Sequence, residues 1–361
     1  MHRLSLPSLF VSALVAVAFS PAADAAAQRT FVASYGSPAN AAFNCSIAKP
    51  CRAFSEAIVV TNLGGEVVVL DSAGYGSVTV TKAVSIIAPA GIYAGISVFS
   101  GNDGVSVNAP GAIVVLRGLS INGQGGNRGI FFQAAARLRI ENCVVSGMSV
   151  AGIAHNAAGG EMIVLDTIVR DTGGSGIVVV GDLPSAVLDH VRSEHGGGDG
   201  FSFSPTAGSL GARATIVDSV FAYNEGKGIG AGSLPGATIT IVVERSVLSY
   251  NGQDGFAATA TAGSADATLA RNLVNDNGGH GIWINGNAHG GIVENVTHRN
   301  GGIGIRLDGG IRIYLAANSA VQDLGMAGVV CTDPNGILRS LGNNMATGAS
   351  LGCIYTTNIG L

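Results

Sequence analysis

A glycine followed by a large apolar residue recurs ten times in this sequence, at Gly104, Gly129, Gly152, Gly176, Gly200, Gly228, Gly255, Gly281, Gly304 and Gly328, with gaps of 23 to 28 residues. The apolar partner is Val, Ile or Phe each time: Val105, Ile130, Ile153, Ile177, Phe201, Ile229, Phe256, Ile282, Ile305 and Val329. A sustained period marks a repeat architecture, and the length of the period decides which one. Between anchors lie only short runs of alternating apolar residues, such as 237–243 and 311–315, with no stretch of helical period. Repeats built on a helix are therefore excluded, and a propeller blade needs about 40 residues. Three short strands and three turns fit into about 25 residues. Such coils stack about 4.8 Å apart, each strand pairing with its copy above and below. The expected fold is all-β: a right-handed parallel β-helix, a solenoid of about ten coils.

Composition agrees. The 55 glycines among 361 residues show no three-residue period, which excludes collagen, and abundant Val and Ile with only 12% charged residues argue against disorder. With 16 Arg, 3 Lys, a formal net charge of -4 and no long basic run, the chain lacks the electrostatic footprint of a nucleic-acid binder. A neutral or weakly charged partner fits better.

Residues 1–27 read as a secretory signal, with Arg3 before an apolar stretch from Leu9 to Phe19 and small residues Ala25, Ala26 and Ala27 before Gln28. The stretch is too short for a membrane span, so a secreted or periplasmic protein that does not span the membrane is expected, as a monomer. Residues 28–65 read as an N-terminal cap with a disulfide loop and a short helix, and residues 66–361 as the solenoid. In the cap, Pro50 and Cys51 open a helical pattern with Phe54, Ala57 and Ile58 on one face, ended by Gly64 and Gly65. Cys45 and Cys51 are close in sequence, and Cys331 and Cys353 are about one coil apart, so two disulfides are expected with Cys143 free.

Two rows of like residues follow from the period. Asn224, Asn251, Asn277 and Asn300 stand four places before successive anchors, with His195 in the same slot if one extra turn residue is allowed. An asparagine there tolerates a left-handed turn and bonds the amides above and below, a structural role. Asp166, Asp189 and Asp218 take equivalent places in three coils, continued by Arg245 and Arg271, with His190, Arg192 and Glu194 nearby. Three stacked carboxylates repel, and either a cation or neighbouring arginines must relieve them. The three are weak candidates for holding calcium.

From about Arg29 onward, runs such as "VERSVLSYNGQDGF" and "ARNLVNDNGGHGIWI" resemble the pectate-lyase-like superfamily of right-handed parallel β-helix proteins. The opening "CRAFSEAIVVTNLGGEVVVLDSAGYGSVTVTKAVSIIAP" is similar to that of pectin methylesterases and of many exported β-helix proteins. Within that superfamily, "GHG" at Gly279–Gly281 and "GIRL" at Gly304–Leu307 resemble two polygalacturonase motifs, with Gln253 and Asp254 resembling part of a third. The resemblance implies His280 as support for an acid, Arg306 as a carboxylate binder and Asp254 as a catalytic acid. The chain departs from the pattern: Asp254 is followed by Gly255 rather than a second Asp, the Asn-Thr-Asp motif is absent, and Asp308 stands where the family has Lys. Neither the Asp-Pro-His-Asp motif of mannuronan epimerases nor the pectin methylesterase signature is present.

Alternation outward from the anchors gathers Trp283, Asn285, Arg306 and Asp308 on one face, edged by Asp199, Lys227, Asp254 and His280. Trp283, Asn285, Asp308 and Lys227 are the ligand-binding candidates, since an indole beside charged groups suits a sugar ring. The reading is an exported solenoid that binds a polysaccharide or another envelope component without catalysis and without an obligatory cofactor. The competing reading is a carbohydrate-active enzyme, either a calcium-dependent uronide lyase or a polygalacturonase-like hydrolase.

Overall fold

The computed structural model describes residues 27–357 apart from 322, 324–326, 333, 348 and 353. The expected signal segment, except Ala27, lies outside the described residues, as does Cys353. The chain winds into a parallel β-solenoid of about 11 turns, with two short helices among the described residues.

A coil typically contributes a strand after the anchor, a second strand and a short third strand, the first two running together in Phe256–Ala270 and Ile282–Val293. One coil runs Ile229–Gly232, Thr238–Glu244 and Val247–Ser249. The residues after successive anchors stack in register: Ile177 on Phe201, Phe201 on Ile229, Ile229 on Phe256, Phe256 on Ile282 and Ile282 on Ile305. All ten of these anchor-following side chains are buried, so a single apolar column runs the length of the fold. The third strands form a separate sheet of 12 strands.

The anchors are glycines for a steric reason. A Cβ on Gly228 would lie 2.6 Å from the carbonyl oxygen of Gly255, and one on Gly255 would lie 2.8 Å from that of Gly281. The same approach recurs from Gly104 to Gly304: each anchor Cα leans on the carbonyl of the next anchor.

The asparagine row carries the second buried column. Gly196 N donates to Asn224 Oδ1 at 3.0 Å, and both the backbone N and Nδ2 of Asn224 donate to Asn251 Oδ1. Asn251 does the same to Asn277, and Asn277 to Asn300. Asn300 donates to Asp323 Oδ1, and Asp323 closes the row by accepting from Thr297 on its other oxygen. The register corrects two details of the sequence reading. The left-handed residue is the one before each Asn, namely Tyr223, Tyr250, Asp276 and Arg299 at φ of 52 to 58°. His195, at φ 54°, therefore belongs with the tyrosines, and Gly196 occupies the Asn slot. A second row, Asn272, Asn295, Asn318 and Asn344, repeats the device at the bend between the second and third strands. It was missed because it is broken upstream by Ser219 and Ser246, whose hydroxyls accept in its place.

The helix within residues 28–65 is shorter than its sequence pattern. Phe54–Val60 is helical with Phe54, Ala57 and Ile58 buried, and the Glu56 carboxylate accepts from Ala53 N at 2.9 Å. It ends four residues before Gly64, because Thr61 turns extended and opens the strand Thr61–Val69, which pairs with Ala27–Val32. Cys45 and Cys51 are disulfide-bonded with Cα atoms 4.9 Å apart, and Cys143 is free and buried. Cys331 is also disulfide-bonded.

Candidate functional site

The strands Ile282–Val293 and Ile305–Asp308 place Trp283 beside Arg306 and Asn285 beside Asp308. Asp308 organises the group: one carboxylate oxygen accepts from Trp283 Nε1 at 2.8 Å and Arg306 Nε at 2.6 Å, and the other from Thr332 Oγ1 at 2.6 Å. Burial alone would raise the Asp308 carboxyl, but these three hydrogen bonds outweigh it and hold the group below the ordinary carboxylate range. Asp308 is thus an ionised acceptor that fixes the indole and the guanidinium.

His280 adds a wall, its ring 6.1 Å from the Trp283 ring in an edge-on arrangement. Its Nδ1 accepts from Ile303 N at 2.8 Å, and Arg306 Nη1 lies 3.3 Å from its Nε2. Burial pushes the imidazole below its usual value, with Asp254 and Asp308 pulling up and Arg306 pushing down.

Asp254 takes part in a turn. It is buried, and its Oδ1 accepts from His280 N at 2.7 Å, a turn bond to the next coil. Asp199 makes the same bond one coil earlier, accepting from Lys227 N at 2.8 Å. The residue before an anchor therefore serves repeatedly as an acceptor for the coil above it, and the "GHG" and Asp254 resemblance reflects that device.

One coil below Trp283 the outward places hold Ala257 and Thr259, and below those Gly230 and Gly232. The small residues leave a shallow recess of about 180 Å³ against the indole, edged by Asp199, Lys227, Ser202 and Thr259. Of the expected binders, Trp283 and Lys227 line it, whereas Asp308 acts from behind and Asn285 sits half-buried one step along the strand. Ser202 and Thr259 were not singled out from the sequence. Counting outward places in earlier coils, as was done for Trp283, would have found both.

The acidic row is corrected by its register. Leu165 pairs with Asp189 and Asp189 with Val217, so His190, not Asp189, stands between Asp166 and Asp218. Asp218 meets Arg245 with both oxygens at 2.8 and 2.9 Å, and Arg271 meets Glu244 and Glu294. His190 Nδ1 lies 2.6 Å from Asp189 Oδ1. The donors of Asp189, His190 and Asp218 gather within 4.8 Å of one another, and Asp166 is not part of that group. A ligand set of two carboxylates and an imidazole is not the all-oxygen shell that calcium prefers, and an arginine already occupies Asp218.

The family model of the right-handed beta helix region matches residues 103–264. The chain folds as a right-handed parallel β-helix. Solved structures agree at the level of fold. The β-helix is similar to the A-module of mannuronan C-5 epimerase AlgE4 of Azotobacter vinelandii at 14% identity, covering 82% of this chain and 91% of that one, with a TM-score of 0.51. It is similar to pectate lyase Pel9A at 15% identity, covering 82% and 80%, with a TM-score of 0.52. It also resembles tailspike protein 2 of Escherichia coli O157:H7 bacteriophage CAB120 at 10% identity and a TM-score of 0.55, where 82% of this chain spans 43% of that protein. No curated protein matches the sequence. Among the described residues no helix is long and apolar enough to cross a membrane.

Proposed function

We propose that this β-helix is an exported protein that binds a polysaccharide at the Trp283 recess and does not cleave it. The observation that carries the reading is the indole held by Asp308 over a floor of Gly230 and Ala257: a rigid aromatic wall beside a ring-sized gap edged by hydroxyl, amine and carboxylate groups. Fold-mates named for mannuronan and pectate make a polymeric saccharide the natural occupant. Against turnover stands the use made of each nearby carboxylate. Hydrolysis needs one carboxylic acid to protonate the leaving group and a second carboxylate for water or sugar. Asp308 is ionised under three donors, and Asp254 and Asp199 each accept from the backbone N–H of a turn in the next coil, at His280 and Lys227.

The test is a glycan array on the mature protein with and without calcium, read together with product analysis. Polymer bound without new reducing ends or unsaturated ends supports the reading, and Trp283→Ala should weaken binding by about 1 to 3 kcal/mol, the value of a stacking contact. Equal binding by the variant would refute the site. A calcium requirement removed by Asp189→Asn would move it to the Asp189, His190 and Asp218 group.

A further inference from the structure

A different face carries a second group of side chains that the Trp283 recess does not use. On the strands Arg312–Ala316 and Ile337–Ser340, the residues Ile313, Leu315 and Leu338 point into the core, and alternation sends Arg312, Tyr314 and Arg339 to the surface. Arg312 pairs with Ile337 and Tyr314 with Arg339, so the two arginines stand diagonally on adjacent strands, about 8 Å apart at the backbone. The Arg339 guanidinium lies 5.7 Å from the Tyr314 ring centre, and the three side chains with Ile337 enclose a recess of about 210 Å³.

The charge there is unbalanced. Arg245, Arg271 and Arg299 each meet a carboxylate, but among the described residues neither Arg312 nor Arg339 has one within 4.0 Å. His289 stands next to Arg312 one strand below, and Asp266 is one strand further away, about 10 Å from Arg312. Two like charges held side by side repel, and an anion between them converts that cost into attraction. Two guanidinium forks on separate strands approach an anion from different directions. A planar carboxylate offers one edge to one fork, whereas a tetrahedral oxyanion offers separate edges to both.

The carrier is indicated by Tyr314. One coil below it stands Gly291, where an added Cβ would meet nothing closer than a Val293 methyl at 3.8 Å, so the ring is uncovered on that side. Of the neighbouring outward places His289 and Thr268 are polar and Val293 is apolar, too small an apolar surface to enter a bilayer. We propose that Arg312, Tyr314 and Arg339 bind a sulfate or phosphate ester carried on a sugar ring, the ester between the arginines and the ring against Tyr314. This site stands independently of the Trp283 recess.

The experiment is calorimetric titration of the full chain with dextran sulfate and with neutral dextran at low salt. Dextran sulfate should bind and neutral dextran should not, inorganic sulfate should compete, and Arg312→Gln with Arg339→Gln should weaken binding at least ten-fold. Replacing both by Lys keeps the charge and loses the forks, and should recover only part of the affinity. The glutamine variant should keep the wild-type circular dichroism spectrum and urea midpoint, which verifies its fold. Undiminished binding of dextran sulfate by the glutamine variant, or full recovery with Lys, would overturn the proposal. Binding to phosphatidylserine vesicles that the variant loses, with none to dextran sulfate, would replace the sugar by a membrane.

Discussion

The contact between successive anchors sets up a test in which one type of substitution has opposite effects at two places. In Gly228→Ala the new methyl carbon falls 2.6 Å from the Gly255 oxygen, about 1 Å inside the optimal separation of non-bonded atoms, and 2.9 Å from Asn251 Nδ2. The oxygen cannot swing aside freely, because it accepts from Ile229 N at 2.9 Å, and Asn251 belongs to the buried amide row. Inserting a methyl group into a packed core costs about 1 to 3 kcal/mol, and a hydrogen-bonded backbone on the receiving side puts this site at the upper end. Restricting the unfolded chain returns about 0.4 to 1 kcal/mol, which leaves a net loss of about 2 kcal/mol. Gly310→Ala has the same unfolded-state effect with nothing within 4 Å of the new carbon, so it should gain about 0.4 to 1 kcal/mol. Urea unfolding of the full chain followed by circular dichroism compares the two midpoints directly. If Gly228→Ala is as stable as wild type, or if both variants shift in the same direction, the anchor glycines are not steric spacers.

Asn277→Ala should cost about 3 to 5 kcal/mol in the same assay, because it strands the buried Asn251 N–H, one Asn251 amide hydrogen and the Leu248 carbonyl at once. Replacing Cys45 and Cys51 by Ala opens a loop of six residues and should cost about 2 kcal/mol in the same urea assay. Stability should fall in acid. Burial alone would raise Glu141 and Asp71, but hydrogen bonds from Arg117 and Arg139 to Glu141, and from Ser34 and Tyr75 to Asp71, leave both below their ordinary values. Lowered folded values mean that the stabilisation is present above the ordinary carboxylate range and is lost as pH falls through and below it. Thermal melts between pH 7 and pH 2 should show that drop, and Arg117→Gln should reduce it.

The period of the glycines and the apolar residue after each were enough to place the core, because both follow from the one contact that every coil repeats. The Cys45–Cys51 pair and the buried Cys143 were legible for a similar reason, since each depends on short-range spacing or on a lone small thiol. What failed was register at the bends. Asp189 and His195 were each misplaced by one residue, because the sequence shows the types of residue along a row but not which of two neighbours takes the left-handed conformation. The Trp283 face was visible in outline through alternation. Its centre was not, since the role of Asp308 depends on three donors that converge from three coils, and the recess depends on what Gly230 and Ala257 lack. Arg312 and Arg339 were passed over because an unpaired arginine differs from a paired one only in its surroundings.

The amide row has a direction, and the direction limits how such a protein can grow. Every member gives two hydrogens to the oxygen of the member after it, so the first position needs only an N–H for the coil that follows, and a glycine serves at Gly196. The last needs only an oxygen, and an aspartate serves at Asp323. A coil bearing Asn in this slot can be duplicated or deleted between the two without changing what its neighbours meet. A coil bearing Asp there ends the side-chain row wherever it is placed, since its carboxylate has no hydrogen to pass on and only its backbone N–H remains. Lengthening by recombination is therefore open in the interior of the row and closed at its C-terminal end, so added coils and the surface they bring should accumulate between Gly196 and Asp323.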